Sequence, residues 1–441
     1  MSIQTLSVEA PSTVASDLLR DLLDARRREL ALVADLDERQ LVAMPDRSIE
    51  PPLWELGHVG WFQERWLLRH LAGADALDPA TDGLYDSFRI PNAERWDLGL
   101  PDRAATEHYI AAVLDAVLAR YGNRELTPEE AYFCRLATLH EDMHGETLVH
   151  IRHSLCYPPP RLPAAPPAVA EPGFEPHDVA IPGGVFELGG RPEEPFVFDN
   201  EKWAHPVSVA PFRIGAAPVT NGEYRAFVEA GGYRDIALWS DEGWVWRGAT
   251  GLAAPATWHL DGELWTERWF DQHRRLDDDL PVVHVNWFEA SAYCAFADRR
   301  LPSEAEWELA ALGEPSPDGR GIAATKRRFP WGDVPTSPDR ANLDAWRAGL
   351  APVGALAAGD SAFGCRQMLG NVWEWTADTF NPYPGFVVDP YATYSVPSFG
   401  AQKVLRGGCW ATRSRVARPT FRNFYTPDRH NIFAGFRTVA R

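Results

Sequence analysis

Cysteine is scarce: five in 441 residues, scattered and with no C-x-x-C pair, which excludes a disulfide framework and fits a reducing, cytoplasmic setting. Basic charge is also short. Lys and Arg number 43 against 62 Asp and Glu, for a net charge of −19. Nucleic acid and anionic membrane both need clustered cations and are not expected partners. No apolar run approaches bilayer-spanning length, and the polar start of the chain lacks the basic-then-apolar layout of a signal peptide. Aromatic residues, by contrast, are plentiful. Eighteen Trp within a hydrophobic fraction of 45% describe a well-packed soluble protein, long enough for two or three domains.

The strongest chemical pattern is Leu139-His140-Glu141-Asp142-Met143-His144-Gly145-Glu146. Apolar or aromatic residues at Ala131, Tyr132, Leu136, Leu139, Met143, Leu148 and Ile151 recur with helical spacing. On such a helix His140 and His144 project from one face, one turn apart, and can share an ion. The same residues spell H-E-x-x-H, the zinc-protease motif. The longer form of that motif needs a glycine at position 147 to swing a third histidine back, and this chain has Thr147, so His150 faces away. A third ligand is sought elsewhere. His58 stands amid Trp54, Leu56, Val59, Trp61, Phe62, Trp66 and Leu67 on a second helix, Leu53 to Leu71. A lone histidine there is ordinarily a core residue, but facing helices of a bundle also build metal sites.

Two more amphipathic segments, Ser12 to Leu36 and Ala104 to Tyr121, complete four long helices, with Arg47-Ser48-Ile49-Glu50-Pro51-Pro52 breaking the pattern after the first. The fold class expected is an all-α four-helix bundle over residues 1–157, a proline-rich linker over 158–172, and an irregular domain of short strands and brief helices over 173–441. Helical pieces there are expected at Thr220 to Ala230 and Trp287 to Ala297. The long aromatic loop Asp82 to Asp97, with Arg95 and Trp96, reads as a wall of a substrate pocket.

The second half resembles the formylglycine-generating-enzyme domain, an α+β relative of the C-type lectins. The resemblance rests on Ile181-Pro182-Gly183-Gly184-Val185-Phe186-Glu187-Leu188-Gly189, Pro218-Val219-Thr220-Asn221-Gly222-Glu223-Tyr224 and Arg300-Leu301-Pro302-Ser303-Glu304-Ala305-Glu306-Trp307-Glu308. Phe329-Pro330-Trp331-Gly332, Gly370-Asn371-Val372-Trp373-Glu374-Trp375 and Leu405-Arg406-Gly407-Gly408-Cys409-Trp410 carry it further. Thr412 and Ala417 stand near the places of that enzyme's cysteine pair, which argues against copper-dependent oxidation of a protein cysteine. Cys409 reads as a small buried residue.

A DinB-like bundle with three histidines, followed by this domain, resembles the ergothioneine sulfoxide synthases and their relatives. The resemblance implies that His58, His140 and His144 hold a non-haem Fe(II), and that O2 is co-substrate. It also implies that a chalcogen is joined to the imidazole of hercynine. Tyr391 matches the tyrosine that donates a proton or hydrogen atom, and Tyr394 a second active-site tyrosine. Asn423, Phe424, Tyr425 and Arg429 fall in the substrate-binding run, where Asn423 would bond hercynine and Arg429 would take a carboxylate. Met143 replaces a glutamine, Phe424 a tryptophan, and Tyr425 the aspartate that holds an amino group of γ-glutamylcysteine. These departures resemble the selenoneine synthase branch, so the donor expected is a selenosugar. The alternatives are an ergothioneine-type enzyme using cysteine or another thiol, and a zinc-dependent DinB-like thiol transferase. Only small-molecule partners are expected, on a monomer or weak oligomer.

Overall fold

Helices build the first part of the chain. The computed structural model describes residues 17–42, 48–163, 165–166, 168–171 and 173–441. In it α1 spans Asp17–Val33, α2 Glu38–Val42, α3 Pro52–Gln63, α4 Asp82–Tyr85, α5 Arg103–Tyr121 and α6 Pro128–Ser154. Positions 12–16 of the expected first helix, the polar start at 1–9, Arg47 of the helix-breaking run and linker positions 164, 167 and 172 lie outside the described residues. The chain divides into two compact units, Met1–Leu162 and Pro163–Arg441. In the first, α1 packs on α6, α6 on α3, and α3 on α5, which is the expected four-helix arrangement. Each start has a local cause. Pro52 sits at the first position of α3, where its missing N–H costs nothing, and Thr127 with Glu130 forms a capping box at α6. No helix among the described residues is long and apolar enough to cross a membrane.

One feature was not anticipated: α3 runs on as a π-helical stretch, Glu64–His70. Its first residue, Glu64, is buried and accepts bonds from the Tyr109 hydroxyl at 2.6 Å and from Leu77 N at 2.5 Å. Widened turns of this kind shift the register of the side chains beyond them.

The second unit contains β1 (Asp178–Ile181), β2 (Gly184–Leu188), β3 (His205–Val209), β4 (Phe212–Gly215), α7 (Asn221–Glu229) and α8 (Asp241–Thr250). There follow β5 (Trp258–Asp261), β6 (Leu264–Trp269), β7 (Gln272–Arg275), α9 (Trp287–Phe296), β8 (Arg299–Arg300) and α10 (Glu304–Leu312). The chain ends through β9 (Trp373–Thr379), β10 (Lys403–Arg406), β11 (Asn423–Tyr425), β12 (Ala434–Gly435) and β13 (Val439–Ala440). The sheets run β1-β4-β13-β8, β11-β10-β9-β12, β2-β3 and β5-β6-β7. This is the expected irregular α+β domain. The helical pieces at 220–230 and 287–297 form, capped by the Thr220 and Asn286 side chains. Gly183 needs its glycine: φ is +72°, and a Cβ would lie 2.6 Å from the Val209 carbonyl oxygen. None of the five cysteines is in a disulfide.

A buried acid in this unit sets a pH dependence. Glu289, in the first turn of α9, accepts from the Tyr233 hydroxyl and from Asn286 N, yet burial pushes its carboxyl from an ordinary 4.5 up to about 7. A folded-state value above the unfolded one means that the native state holds the proton more tightly. The stabilisation is fully present below pH 4.5 and is lost as pH rises through about 7. The loss is on the order of 3 kcal/mol at most. Denaturant unfolding at pH 5 and at pH 8 should therefore show a decline that Glu289→Gln flattens. An equal decline in wild type and variant would remove Glu289 as its source.

Candidate functional site

All twelve residues of α3 are buried, as expected for a helix that is mostly apolar around its circumference. Within it Trp54, His58 and Phe62 stand four apart and form one stripe. The His58 ring stacks on Trp54 at 4.5 Å and 11°. Phe62 stacks on His140 of the facing helix at 3.5 Å and 5°. His144 lies one turn beyond His140 on α6, so three imidazoles from two helices meet. Their ring centroids are 5.0 Å (His58 to His140), 4.6 Å (His58 to His144) and 4.4 Å (His140 to His144) apart. One ligand nitrogen from each lies within 4.8 Å of the others.

Protons and lone pairs follow from the neighbours. His58 Nδ1 is 2.8 Å from the Tyr85 carbonyl oxygen, which can only accept, so Nδ1 carries the proton and Nε2 the lone pair. His144 Nδ1 is bonded to a carboxylate oxygen of Glu55, and the same reasoning directs its Nε2 toward the cluster. Burial first, and the neighbouring His144 second, hold both His58 and His140 well below the usual histidine range. They are neutral and able to ligate. Three imidazoles, two of them oriented by outer hydrogen bonds, fit a divalent transition ion with coordination positions left for small ligands.

Glu141 has a different place. Its carboxylate accepts from Arg26 Nε at 2.6 Å and from the Gln63 amide, inside the bundle core. The glutamate of H-E-x-x-H is thus part of a structural ion pair and not a base beside the cluster. His150, on the continuing helix, stands 3.3 Å from Glu146.

Arg95 is 6% exposed. Its guanidinium lies 4.0 Å over the Trp54 ring and bonds Glu50 at 2.7 Å and the Ile90 and Ser87 carbonyls at 3.3 Å. Trp96 donates its indole N–H to the Ile49 carbonyl at 2.7 Å. Met143 is half-buried on α6 between the two helix histidines.

In the second unit Tyr391 and Tyr394 stack at 5.7 Å. Tyr394 also meets Phe198 at 4.7 Å and the edge of Phe424 at 5.5 Å. Burial, reinforced by the Glu201 charge, pushes the Tyr394 phenol well above its ordinary 10, so it stays protonated. The loop carrying both tyrosines is pinned to the turn at 199–202. Asp199 accepts from Ser395 Oγ, Asn200 Nδ2 donates to Ser395 Oγ at 3.0 Å, and Lys202 binds Asp389 at 2.7 Å. On β11 the side chains alternate: Phe424 turns toward Phe380, stacked at 4.0 Å, and Tyr394, while Asn423 and Tyr425 take the other face. Asn423 accepts from Phe424 N at 2.9 Å. The Arg429 guanidinium stands 5.5 Å over the Tyr425 ring, and Lys403 is the cross-strand neighbour of Tyr425.

The outer partners Glu55 and the Tyr85 carbonyl escaped sequence reasoning. Glu55 could have been found, since a buried acid three residues before His58 on a mostly apolar helix requires a partner. A backbone carbonyl leaves no mark in a sequence.

The comparisons agree with this architecture. Residues 21–148 match the DinB superfamily, and residues 165–441 match the sulfatase-modifying factor enzyme 1-like domain. Hercynine oxygenase from Mycolicibacterium thermoresistibile is 42% identical over 438 residues, covering 96% of this chain and 94% of that protein. Hercynine oxygenase from Mycolicibacterium smegmatis is 40% identical over 435 residues, covering 96% and 99%. The formylglycine-generating enzyme of Streptomyces coelicolor is 33% identical over 314 residues, covering 64% of this chain and 94% of its own. With relatives matched across nearly their whole length and both domains accounted for, the chain belongs to the hercynine oxygenase family.

Proposed function

We propose that this chain is a non-haem Fe(II), O2-dependent enzyme that forms a carbon–chalcogen bond on the imidazole of hercynine. The observation that carries the reading is the cluster of His58, His140 and His144, whose ligand atoms lie within 4.8 Å of one another on a chain 42% identical to a hercynine oxygenase. Iron held by these residues would supply the electron exchange with O2. The chain supplies the rest. Glu55 and the Tyr85 carbonyl keep the Nδ1 protons of His144 and His58 in place. The Arg429 guanidinium takes a carboxylate and the Asn423 amide bonds the substrate. The Tyr391 phenol moves a proton, with Tyr394 stacked against it.

For the donor we infer a selenosugar. Position 425 is a phenol, with the Arg429 guanidinium over its ring. An ammonium would meet a guanidinium there, whereas a sugar can lay its apolar face on the ring. The second reading is a thiol donor, as in an ergothioneine-type enzyme; the relatives' name, hercynine oxygenase, specifies no donor. Anaerobic Fe(II) reconstitution, then hercynine, O2 and a panel of thiols and selenosugars read by mass spectrometry, decides between them. Higher kcat/KM for cysteine or γ-glutamylcysteine than for any sugar selenol sinks the selenosugar assignment. Product formation with zinc and no O2 uptake sinks the iron reading in favour of a thiol transferase.

Tyr391→Phe should lower product formation about 100-fold or more, the usual contribution of a positioned acid, while iron and hercynine binding hold. Unchanged turnover would take Tyr391 out of the mechanism.

A further inference from the structure

The segment from Asp82 to Asp97 reaches the back of a metal ligand. The four-residue helix α4 ends at Tyr85, and a helix that short leaves its carbonyls without intrahelical partners. Two consecutive ones are taken by α3. Leu84 O accepts from Trp54 Nε1 at 2.8 Å, and Tyr85 O from His58 Nδ1 at 2.8 Å. The donors are one helical turn apart. Between them and the loop there is no slack, because a Cβ at Gly57 would lie 2.1 Å from the Tyr85 ring. Further along the same segment the guanidinium of Arg95 covers Trp54, whose ring is stacked on His58, giving a layered stack at 4.0 and 4.5 Å. The segment is anchored independently: Asp82 accepts from Trp61 Nε1 at 2.6 Å and from Arg69 Nη1 and Nη2 at 2.6 and 2.9 Å.

We infer that this segment is the positioning element for His58: the Tyr85 carbonyl selects the ring nitrogen offered to the metal, the Arg95–Trp54 layer holds the ring plane, and Gly57 is the gap that lets the Tyr85 end of the segment reach it. Outer partners of a metal-bound imidazole commonly change affinity by about 10- to 100-fold. Gly57 and Arg95 are therefore positioning residues, although neither is among the three candidate ligands. The inference rests on the metal reading of the three histidines.

Co(II) titration of the metal-free full-length protein, followed by visible absorption and thermal unfolding, tests it. Wild type should bind Co(II), and His140→Ala should not. Gly57→Ala should weaken binding about tenfold or more and shift the d–d bands. Arg95→Lys keeps the charge opposite Glu50 and loses the flat stack, so it should shift affinity in the same direction by a smaller factor. The double variant Gly57→Ala/Tyr85→Ala removes the colliding ring but keeps the backbone carbonyl. Affinity should recover toward wild type even as the unfolding temperature drops further, which a purely structural role cannot produce. Val117→Ala, a buried α5 substitution, serves as the destabilised control and should keep wild-type affinity and bands. If wild type binds and Gly57→Ala and Arg95→Lys bind just as tightly with unchanged bands, the inference falls and the metal reading stands. If Gly57→Ala does not fold, Arg95→Lys against the Val117→Ala control decides alone. Absence of Co(II) binding to wild type, or equal binding by His140→Ala, overturns both.

Discussion

On the proposed iron reading, replacing His140 with alanine is expected to abolish iron binding and essentially all O2-dependent turnover, a larger effect than the roughly 10- to 100-fold that follows loss of an outer partner. His140 stands within 4.4 Å of the His144 ring and 5.0 Å of the His58 ring, measured between centroids, so its removal leaves two imidazoles on opposite helices. Two such nitrogens cannot fill the three-ligand set of an open catalytic site. The stability cost should be separable. Burial keeps His140 neutral, so the variant leaves no uncompensated charge. What it leaves is a void beside Phe62, worth a few kcal/mol at most by analogy with other large-to-small core changes. Iron content after anaerobic reconstitution, measured with the unfolding midpoint, is the check. Stoichiometric iron in folded His140→Ala would sink the three-histidine assignment.

The legible part of this site was its chemistry-bearing side chains. His140 and His144 show themselves by helical spacing, and His58 is the third candidate because a two-histidine pair needs another ligand and the family resemblance supplies it. What supports them was less legible, for two physical reasons. Some partners are backbone atoms, as at Tyr85, twenty-seven residues from His58. Others are side chains brought together across great sequence distance, as with Arg26 and Glu141, 115 apart. Glu141 shows the cost of reading spacing alone, since a motif position that looks catalytic is bonded into the α1–α6 core.

The recurrent motifs of the second unit have the opposite character. They were easy to read and their role is structural. Glu304 and Glu308 of the Arg300 to Glu308 motif meet Arg422 and Arg406, Glu304 binding Arg422 Nε at 2.8 Å. Lys326 adds a bond to Glu308 at 2.8 Å. Arg422 also holds the Asn200 and Asn381 carbonyls at 2.8 and 3.1 Å. The ion pairs thus tie the turn at 199–202 to the start of the loop that carries Tyr391 and Tyr394. A domain with short strands and little regular sheet uses buried ion pairs to specify which loop lies against which. The motifs are the visible halves of those pairs, so they identify the fold more readily than the chemistry. The capping box at α10, Ser303 with Glu306, lay inside one of them and could have been read as a helix start.

The same logic makes the second large prediction. Glu374, in the motif around Trp373, receives Arg437 through two bonds, Nε at 2.6 Å and Nη2 at 2.7 Å, and the Trp307 indole N–H at 2.8 Å. Glu374 is 1% exposed and Arg437 0%. Arg437 further donates to the Gly215, Ala216 and Arg366 carbonyls, linking β9 to the end of β4 and to the closing segment of the chain. Glu374→Ala strands a guanidinium in the core with only carbonyl partners, and breaking a buried pair in this way typically costs about 3–5 kcal/mol. The second unit should lose that much in denaturant unfolding. The double variant Glu374→Leu/Arg437→Met, which removes both charges and fills much of the space, should recover most of the loss, because an apolar replacement of a buried pair is often neutral. The three-histidine cluster lies wholly in the first unit, so Co(II) affinity should not change in either variant as long as that unit stays folded. A Glu374→Ala midpoint within experimental error of wild type would show that the pair does not hold this unit together.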